Sequence, residues 1–234
     1  GLHGVGGSVV NALSIYCKAE VHRDGGIYMQ EYSQGKRKSA VKKVGSSKLH
    51  GTIITFQPDP SIFPDTNFVF ERIVNHLRQQ AYLVKGLRIS VLDARNLSNI
   101  DDSKTFFIRH LSLDIPSMSF YFEGGLMSLV RFENEHNKPI HKNIFYVEKT
   151  TNGNDHETVE IALQYVDDIS SRILPFANNI YTAEGGTHVT GFKTALTRSL
   201  NTYARKNNLV NEKEDNFTGD DVLEGLTAVI SIKL

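Results

Sequence analysis

The 234-residue chain holds a single cysteine, Cys17, so no internal disulfide can form, and this usage fits a reducing, cytoplasmic setting. Cys17 sits among apolar residues and reads as a small buried hydrophobe rather than a reactive thiol. Neither sign of charge is in excess: 26 Lys and Arg balance 26 Asp and Glu. That argues against a free-standing nucleic-acid binder driven by net charge, and leaves room for a local basic strip. No apolar run approaches the ~20 residues of a membrane span and no signal peptide is visible, so no membrane partner is expected. The nine histidines include no HxH or HExxH pair and no Cys/His cluster at metal spacing, so no metal ligand is assigned. Asp101-Asp102 and Asp167-Asp168 read as solvated turns, not as paired catalytic carboxylates. An initiator Met is also lacking, which points to a piece of a longer protein.

What is present begins at Gly1. Four of the first seven residues are glycine, a density that excludes a helix interior. Val9, Val10, Leu13 and Tyr16 then recur at helical spacing, which predicts a helix over 8–17. A glycine loop ending at a helix N-terminus offers free backbone N–H groups and a positive dipole end to an anion. A tight turn before a core helix would leave the same trace.

Further along, strands are predicted at 18–23 and 27–33, joined by a hairpin turn at Asp24-Gly25-Gly26, with another near 39–44. A strand runs from Gly51 to Phe56, and Pro58 and Pro60 end it. A helical stripe spans Phe68 to Val84, with Asp65, Thr66 and Asn67 as N-cap candidates and Lys85-Gly86 at its close. Leu87 to Leu92 reads as a strand, and 94–118 as an enlarged surface hairpin or loop. Gly124-Gly125 marks a boundary. A helix at 126–135, strands at 144–148, 158–165 and 173–178, and a long helix from 186 to about 206 follow. Phe192, Ala195, Leu196, Leu200 and Tyr203 form the predicted buried stripe of that helix. Thr218 and Asp221 form a capping box before a short helix, and Leu226 to Leu234 is a final apolar strand.

The opening stretch GLHGVGGSVVNALS resembles the third ATP-binding motif of the B subunits of bacterial type IIA topoisomerases, DNA gyrase B and topoisomerase IV B. Other blocks follow in that family's order and at similar spacing: His22-Arg23-Asp24-Gly25, Gly51-Thr52, Tyr121-Phe122-Glu123-Gly124-Gly125, Val159 to Tyr165, Phe176-Ala177-Asn178-Asn179-Ile180, Glu184-Gly185-Gly186-Thr187-His188, Leu196-Thr197-Arg198 and Glu224 to Ser231. The resemblance covers nearly the whole chain. It implies an α+β fold in two domains. Residues 1–124 would be the C-terminal part of a GHKL (Bergerat) ATPase domain, with helices on one face of a mixed sheet and its first third missing. Residues 125–234 would be a transducer domain with the fold of ribosomal protein S5 domain 2, its strand, long helix and strand making the crossover connection.

The resemblance also assigns roles. Leu2, His3, Gly4, Val5 and Gly6 would close over the ATP triphosphate through main-chain amides. Gly7 departs from the family, where a larger small residue near the adenine is common. Thr52 would join a water-bridged contact with adenine, Ile54 would be an apolar wall of its pocket, and Arg23 at the pocket mouth would be an aminocoumarin contact. His188 would be structural. The family's catalytic glutamate, Mg²⁺-binding asparagine and adenine-reading aspartate precede the first block, and the lysine of its QTK loop follows the last strand. No catalytic residue is therefore assigned here. ATP and Mg²⁺ would serve the parent enzyme, with DNA, the topoisomerase A subunit and a second B subunit as partners. Two alternatives stand beside this one: a catalytically inactive interaction module, and another GHKL ATPase of the mismatch-repair or chaperone kind. The Phe176 to Ile180 and Gly185 to His188 blocks speak against the latter, because those families lack them.

Overall fold

The computed structural model describes residues 4–97, 105, 115–151, 157–211 and 213–234, and these fall into two compact units, Gly1–Phe68 and Val69–Leu234.

The first unit is a five-stranded sheet with one short helix, α1 (Gly6–Ala12). Strand β1 (Ser14–Arg23) lies between β2 (Gly26–Ser33) and β5 (Gly51–Pro58), while β3 (Lys36–Arg37) and β4 (Lys42–Ser46) both pair with the outer side of β2. Every pairing in this unit is antiparallel, so the mixed sheet expected here is not seen in it. Hairpins explain this. Asp24 (φ 51°) and Gly25 (φ 74°) are the two left-handed residues that a two-residue turn needs to match strand twist, and Arg23 pairs directly with Gly26.

The helix expected over 8–17 is shorter. It stops at Ala12, and Ser14 to Cys17 join β1, with Tyr16 and Cys17 opposite Gln57 and Phe56. Ile15 is β-branched and Tyr16 aromatic, and a waiting partner strand decided between two permitted periods. Cys17 is buried as expected, but on a strand.

The second unit opens with α2 (Phe70–Leu83). Its N-cap is Val69, without a side-chain cap bond, so Asp65, Thr66 and Asn67 do not cap it. Asp65 Oδ1 instead accepts from the backbone N–H and the side-chain amide of Asn67, each at 2.9 Å, a local turn one step too early. The hairpin β6 (Arg88–Leu92) and β7 (Ser117–Tyr121) packs beside α2 through Phe120, Val91 and Val74. Most of 94–118, including Asp101-Asp102, lies outside the described residues. Then come α3 (Leu126–Glu133), β8 (Phe145–Thr150), β9 (Thr158–Tyr165), β10 (Arg172–Ala177), β11 (Ile180–Tyr181), α4 (Thr187–Lys206), α5 (Gly219–Leu223) and β12 (Leu226–Lys233).

The sheet order is β11-β10-β12-β9-β8. Strands β10 and β12 are parallel, and the α4–α5 segment is the crossover that parallel neighbours require. Two cores form. Tyr82 and Leu83 of α2 join Leu126, Leu129 and Val130 of α3 against Ala162, Phe176 and Val229, and Phe192 of α4 joins Leu163, Leu226, Ala228 and Ile230. Helix α2 therefore packs with the second half of the chain, and Gln80 Nε2 also donates to the Asn179 carbonyl at 3.1 Å.

Local signals located several joints. Gly125 (φ 52°) starts α3, and Thr218 and Asp221 exchange the reciprocal bonds of a capping box on α5. The strand expected over 173–178 ends one residue sooner: Asn178 (φ 48°) and Asn179 (φ 65°) form the two-residue turn between the paired Ala177 and Ile180. The α4 stripe is only partly covered: Phe192 is buried, Ala195 and Leu200 are exposed, and Tyr203 is 61% exposed. The stripe borders a cavity of about 680 Å³ with Ile144, Phe145, Val147 and Ile161 on its sheet side.

Asn179→Gly should leave stability nearly unchanged, whereas Asn179→Val should lower it by about 1–2 kcal/mol, the cost of a left-handed β-branched residue. Urea unfolding of the two variants checks this.

Candidate functional site

The candidate site lies in the first unit, around α1 and β5. Gly4 (φ 60°) takes a left-handed conformation, and Val5 is the N-cap of α1 with no side-chain cap. The N–H groups of the first turn therefore have no intrahelical acceptor. A Cβ placed on Gly4, Gly6 or Gly7 would meet nothing within 4 Å. Backbone conformation thus demands glycine at Gly4, while Gly6 and Gly7 leave room for close approach, and the larger residue the family favours at Gly7 would fit. Leu2 and His3 lie outside the described residues.

Helix α1 buries none of its residues, and Val5 is 54% exposed. Its C-terminal end is held by main-chain bonds: Gln34 N–H to Ser14 O (2.7 Å), Gly35 N–H to Asn11 O (3.1 Å) and Asp59 N–H to Leu13 O (3.0 Å). Asp59 is buried at the end of β5 and accepts from Ser61 Oγ (2.6 Å), Gln34 Nε2 (2.7 Å) and Ser61 N–H (2.9 Å). These hydrogen bonds, that of the Ser61 hydroxyl first, hold its carboxyl below the ordinary range.

On β5, Thr52, Ile54 and Phe56 share one face, opposite Val21, Ala19 and Cys17 of β1. Thr52 is exposed and Ile54 is 54% exposed, so this apolar face is open. The register puts Arg23 on the same face, diagonal to Thr52 at the hairpin end. Its guanidinium contacts only the exposed Asp24 among the described residues, at 3.2 Å. A cavity of about 290 Å³ opens between Val9 and Val10 of α1 with its C-cap Leu13 on one side and Phe56, Pro58, Phe63 and Phe68 on the other. The structure therefore brings α1 beside Phe56 and Pro58, and sets Thr52, Ile54 and Arg23 together farther along the same face.

The opposite face of β1 holds a cluster that sequence reasoning missed. Lys18, Glu20 and His22 are all buried. His22 Nε2 lies 2.8 Å from Glu20 Oε1, His22 Nδ1 lies 2.9 Å from Ser47 Oγ, and Lys18 Nζ is 3.9 Å from Glu20 Oε2. Polar residues alternating at 18, 20 and 22 read as a solvated strand face, yet all three are buried. Ser47 Oγ also accepts the Leu49 N–H at 3.0 Å, so this chain of groups ties the segment after β4 to the central strand.

In the second unit, His188 lies in the first turn of α4, within 3.3 Å of Thr182 Oγ1, in keeping with a structural role. Asp168 caps a turn through Ser170, and Asp167 faces Lys138 at the surface. Among the described residues no group of three or more His, Cys, Asp or Glu could hold a metal ion, and no helix is long and apolar enough to cross a membrane.

This arrangement, an antiparallel sheet carrying a glycine loop and short helix, followed by an α/β unit built on a parallel crossover, has counterparts among solved structures. The structure aligns over its whole length with the 43K ATPase domain of Thermus thermophilus gyrase B, solved with an aminocoumarin (36% identity, TM-score 0.81, 58% of that chain). It also aligns over 99% of its length with the topoisomerase IV ATP-binding domain of Francisella tularensis (27% identity, TM-score 0.73, 57% of that chain). A family model described as DNA gyrase B matches residues 125–234. The DNA gyrase B protein of Clostridium acetobutylicum is 45% identical over 234 residues, all of this chain and 34% of that protein. The chain belongs to the gyrase B family of type IIA topoisomerases, and spans about a third of the length of that curated relative.

Glu20→Ala should destabilise the chain by about 3 kcal/mol, because it leaves Lys18 buried without its counter-charge. Replacing Lys18 and Glu20 together by Met and Leu should cost much less, and chemical denaturation separates the two outcomes. Asp59 sets a pH dependence. Its lowered folded value gives stability that is complete above the unfolded value near 3.9 and is lost as pH falls through the folded value. In Asp59→Asn the acid limb between about pH 5 and 2 should flatten, as read by melting temperature against pH.

Proposed function

We propose that this chain is the part of a type II topoisomerase B subunit that closes over the phosphates of ATP and relays nucleotide state toward DNA. The observation that carries this reading is the glycine loop at α1: a left-handed Gly4, an uncapped first turn and open space at Gly6. In it, Leu2, His3, Gly4, Val5 and Gly6 offer main-chain amides to phosphate oxygens, where the helix dipole adds to the attraction. Thr52 supplies a hydroxyl and Ile54 an apolar surface to the base. Arg23, beside Thr52 at the hairpin end, lies at the mouth and would meet an aminocoumarin. Division by descent into 1–124 (GHKL) and 125–234 (transducer) is part of this proposal, and α2 with the β6–β7 hairpin then couples the two by packing on the second.

The whole protein would be an ATP-hydrolysing enzyme of the cytoplasm that passes one DNA segment through another. It would work with the topoisomerase A subunit and pair two B subunits on ATP binding. Mg²⁺ would accompany the nucleotide there, and the described residues give no ligand set for it. Hydrolysis also needs a base for the attacking water and cations on the developing phosphate charge, and neither is assigned to these 234 residues.

The 234-residue chain alone should show no ATP turnover above a buffer blank. Calorimetry with a non-hydrolysable ATP analogue should find affinity weaker than micromolar, because loop ordering consumes much of the gain. In a chimera where this chain replaces the matching third of the Clostridium acetobutylicum protein, ATP-dependent strand passage should return. There Gly6→Val should raise KM for ATP, and Thr52→Ala should lower kcat/KM about tenfold, the worth of one hydrogen bond. A chimera that passes strands equally well with both substitutions overturns the site assignment.

A further inference from the structure

The chain is neutral overall, but its charge is not evenly spread. Between Glu31 and Asp59 no acidic residue occurs, while Lys36, Arg37, Lys38, Lys42, Lys43 and Lys48 do. All six are exposed, and none forms an ion pair among the described residues.

The fold lines five of them up. Strands β3 and β4 run along the outer side of β2, from Ser33 opposite Lys36 to Gly26 opposite Ser46. Between the two strands the chain stays bonded to β2: Lys38 N–H donates to Glu31 O (2.9 Å), Glu31 N–H to Ser39 Oγ (3.1 Å) and Gln30 Nε2 to Ser39 O (3.0 Å). Among the described residues no strand covers the outer side of this rim. The result is a basic edge about 17 Å long from Lys36, opposite Ser33, to Lys43, opposite Tyr28, given the ~3.3 Å rise of a strand residue. One DNA strand offers a phosphate about every 3.4 Å of helix axis, so about five phosphates span that length.

Lysines on an edge strand also discourage edge-to-edge pairing. One or two serve that purpose, and acids interspersed among them would serve it as well. Six cations with no acid over 27 residues build a field of one sign, the footprint of a polyanion site. A helix with a basic and an apolar face, the usual membrane-surface device, is absent from this segment, whose described elements are strands.

We propose that the β3–β4 rim is a docking surface for the phosphate backbone of duplex DNA, sequence-independent and salt-sensitive. The choice of DNA rests on the proposed function; the surface itself does not.

The test is fluorescence anisotropy of a labelled 20-base-pair duplex with the 234-residue chain between 50 and 200 mM KCl. The expected slope of log K against log [salt] is about −3 to −5, from four or five neutralised phosphates. Lys36→Gln/Arg37→Gln/Lys38→Gln should shrink the slope by about 2–3, and Lys42→Gln/Lys43→Gln by about 1–2. Lys138→Gln/Lys142→Gln/Lys149→Gln, with the same charge change in the second unit, should leave it within about 0.5. Single Lys38→Gln and Lys43→Gln variants, each shrinking it by about 1, replace any multiple variant whose circular dichroism is not native. No binding at 50 mM salt, equal loss from the second-unit control, or rim variants that self-associate with unchanged DNA affinity would each overturn the proposal. Capture by phosphatidylserine vesicles in preference to duplex would do so too. The chimera's response to ATP is a separate readout, so failure of the nucleotide reading and failure of this surface are told apart.

Discussion

Strand β12 is the constraint on which the second unit depends. Leu226, Ala228, Val229 and Ile230 are wholly buried, so the strand has no solvent face and must be covered on both. It is also flanked on both edges, antiparallel to β9 and parallel to β10. The parallel neighbour requires a crossover, and that places α4 over one face. The other face takes α2 and α3 through Tyr82, Leu83, Leu126 and Val130. A buried polar string, Thr227 Oγ1 to Asn134 Oδ1 (2.7 Å) and Asn134 Nδ2 to Gln164 Oε1 (3.1 Å), then ties α3 to β12 and β9. Because each of these groups would be costly to leave unpaired, the string specifies one seating of α3 on the sheet.

The first unit is organised differently. Its central strand β1 alternates Cys17, Ala19 and Val21 on one face with Lys18, Glu20 and His22 on the other. The polar face closes on itself through Glu20 and His22, whereas the apolar face continues into Ile54 and Phe56, which stay open to solvent. The candidate site lies on the open side. An apolar wall with a few polar groups at its edge suits a planar aromatic base, while the uncapped end of α1 suits an anion.

How much of this was legible depended on the range of the interaction involved. The Thr218–Asp221 cap and the Asp24-Gly25 turn were readable because residues two or three apart decide them, whereas Asn178 was read as the end of a strand and lies in a turn. Tyr16 and Cys17 were not, because Val9, Val10, Leu13 and Tyr16 satisfy a helical period, and only pairing with Phe56 and Gln57 makes the last of them a strand residue. Leu200 and Tyr203 show a related limit: periodicity tells which side of α4 is apolar, and says nothing of what lies over it. At the site, Gly4, Val5, Gly6, Thr52 and Ile54 were named from resemblance, and the structure adds the geometry around each. The buried Lys18-Glu20-His22 face escaped notice because polar alternation is the ordinary sign of a wet face, and burial depends on residues distant in the chain.

The anchoring of α1 has a mechanical consequence. Three main-chain bonds hold the helix at Asn11, Leu13 and Ser14, all at one end, and none of its side chains is buried. The helix is therefore a lever pivoted near Leu13, with an arm of about 12 Å from there to Val5 at ~1.5 Å per residue. A tilt of about 20° moves the glycine end by about 4 Å without breaking a single bond of the sheet. Force applied at that end is delivered to Gln34, Gly35 and Asp59, the three residues that grip the pivot, and so to the turn that leads directly into the basic rim.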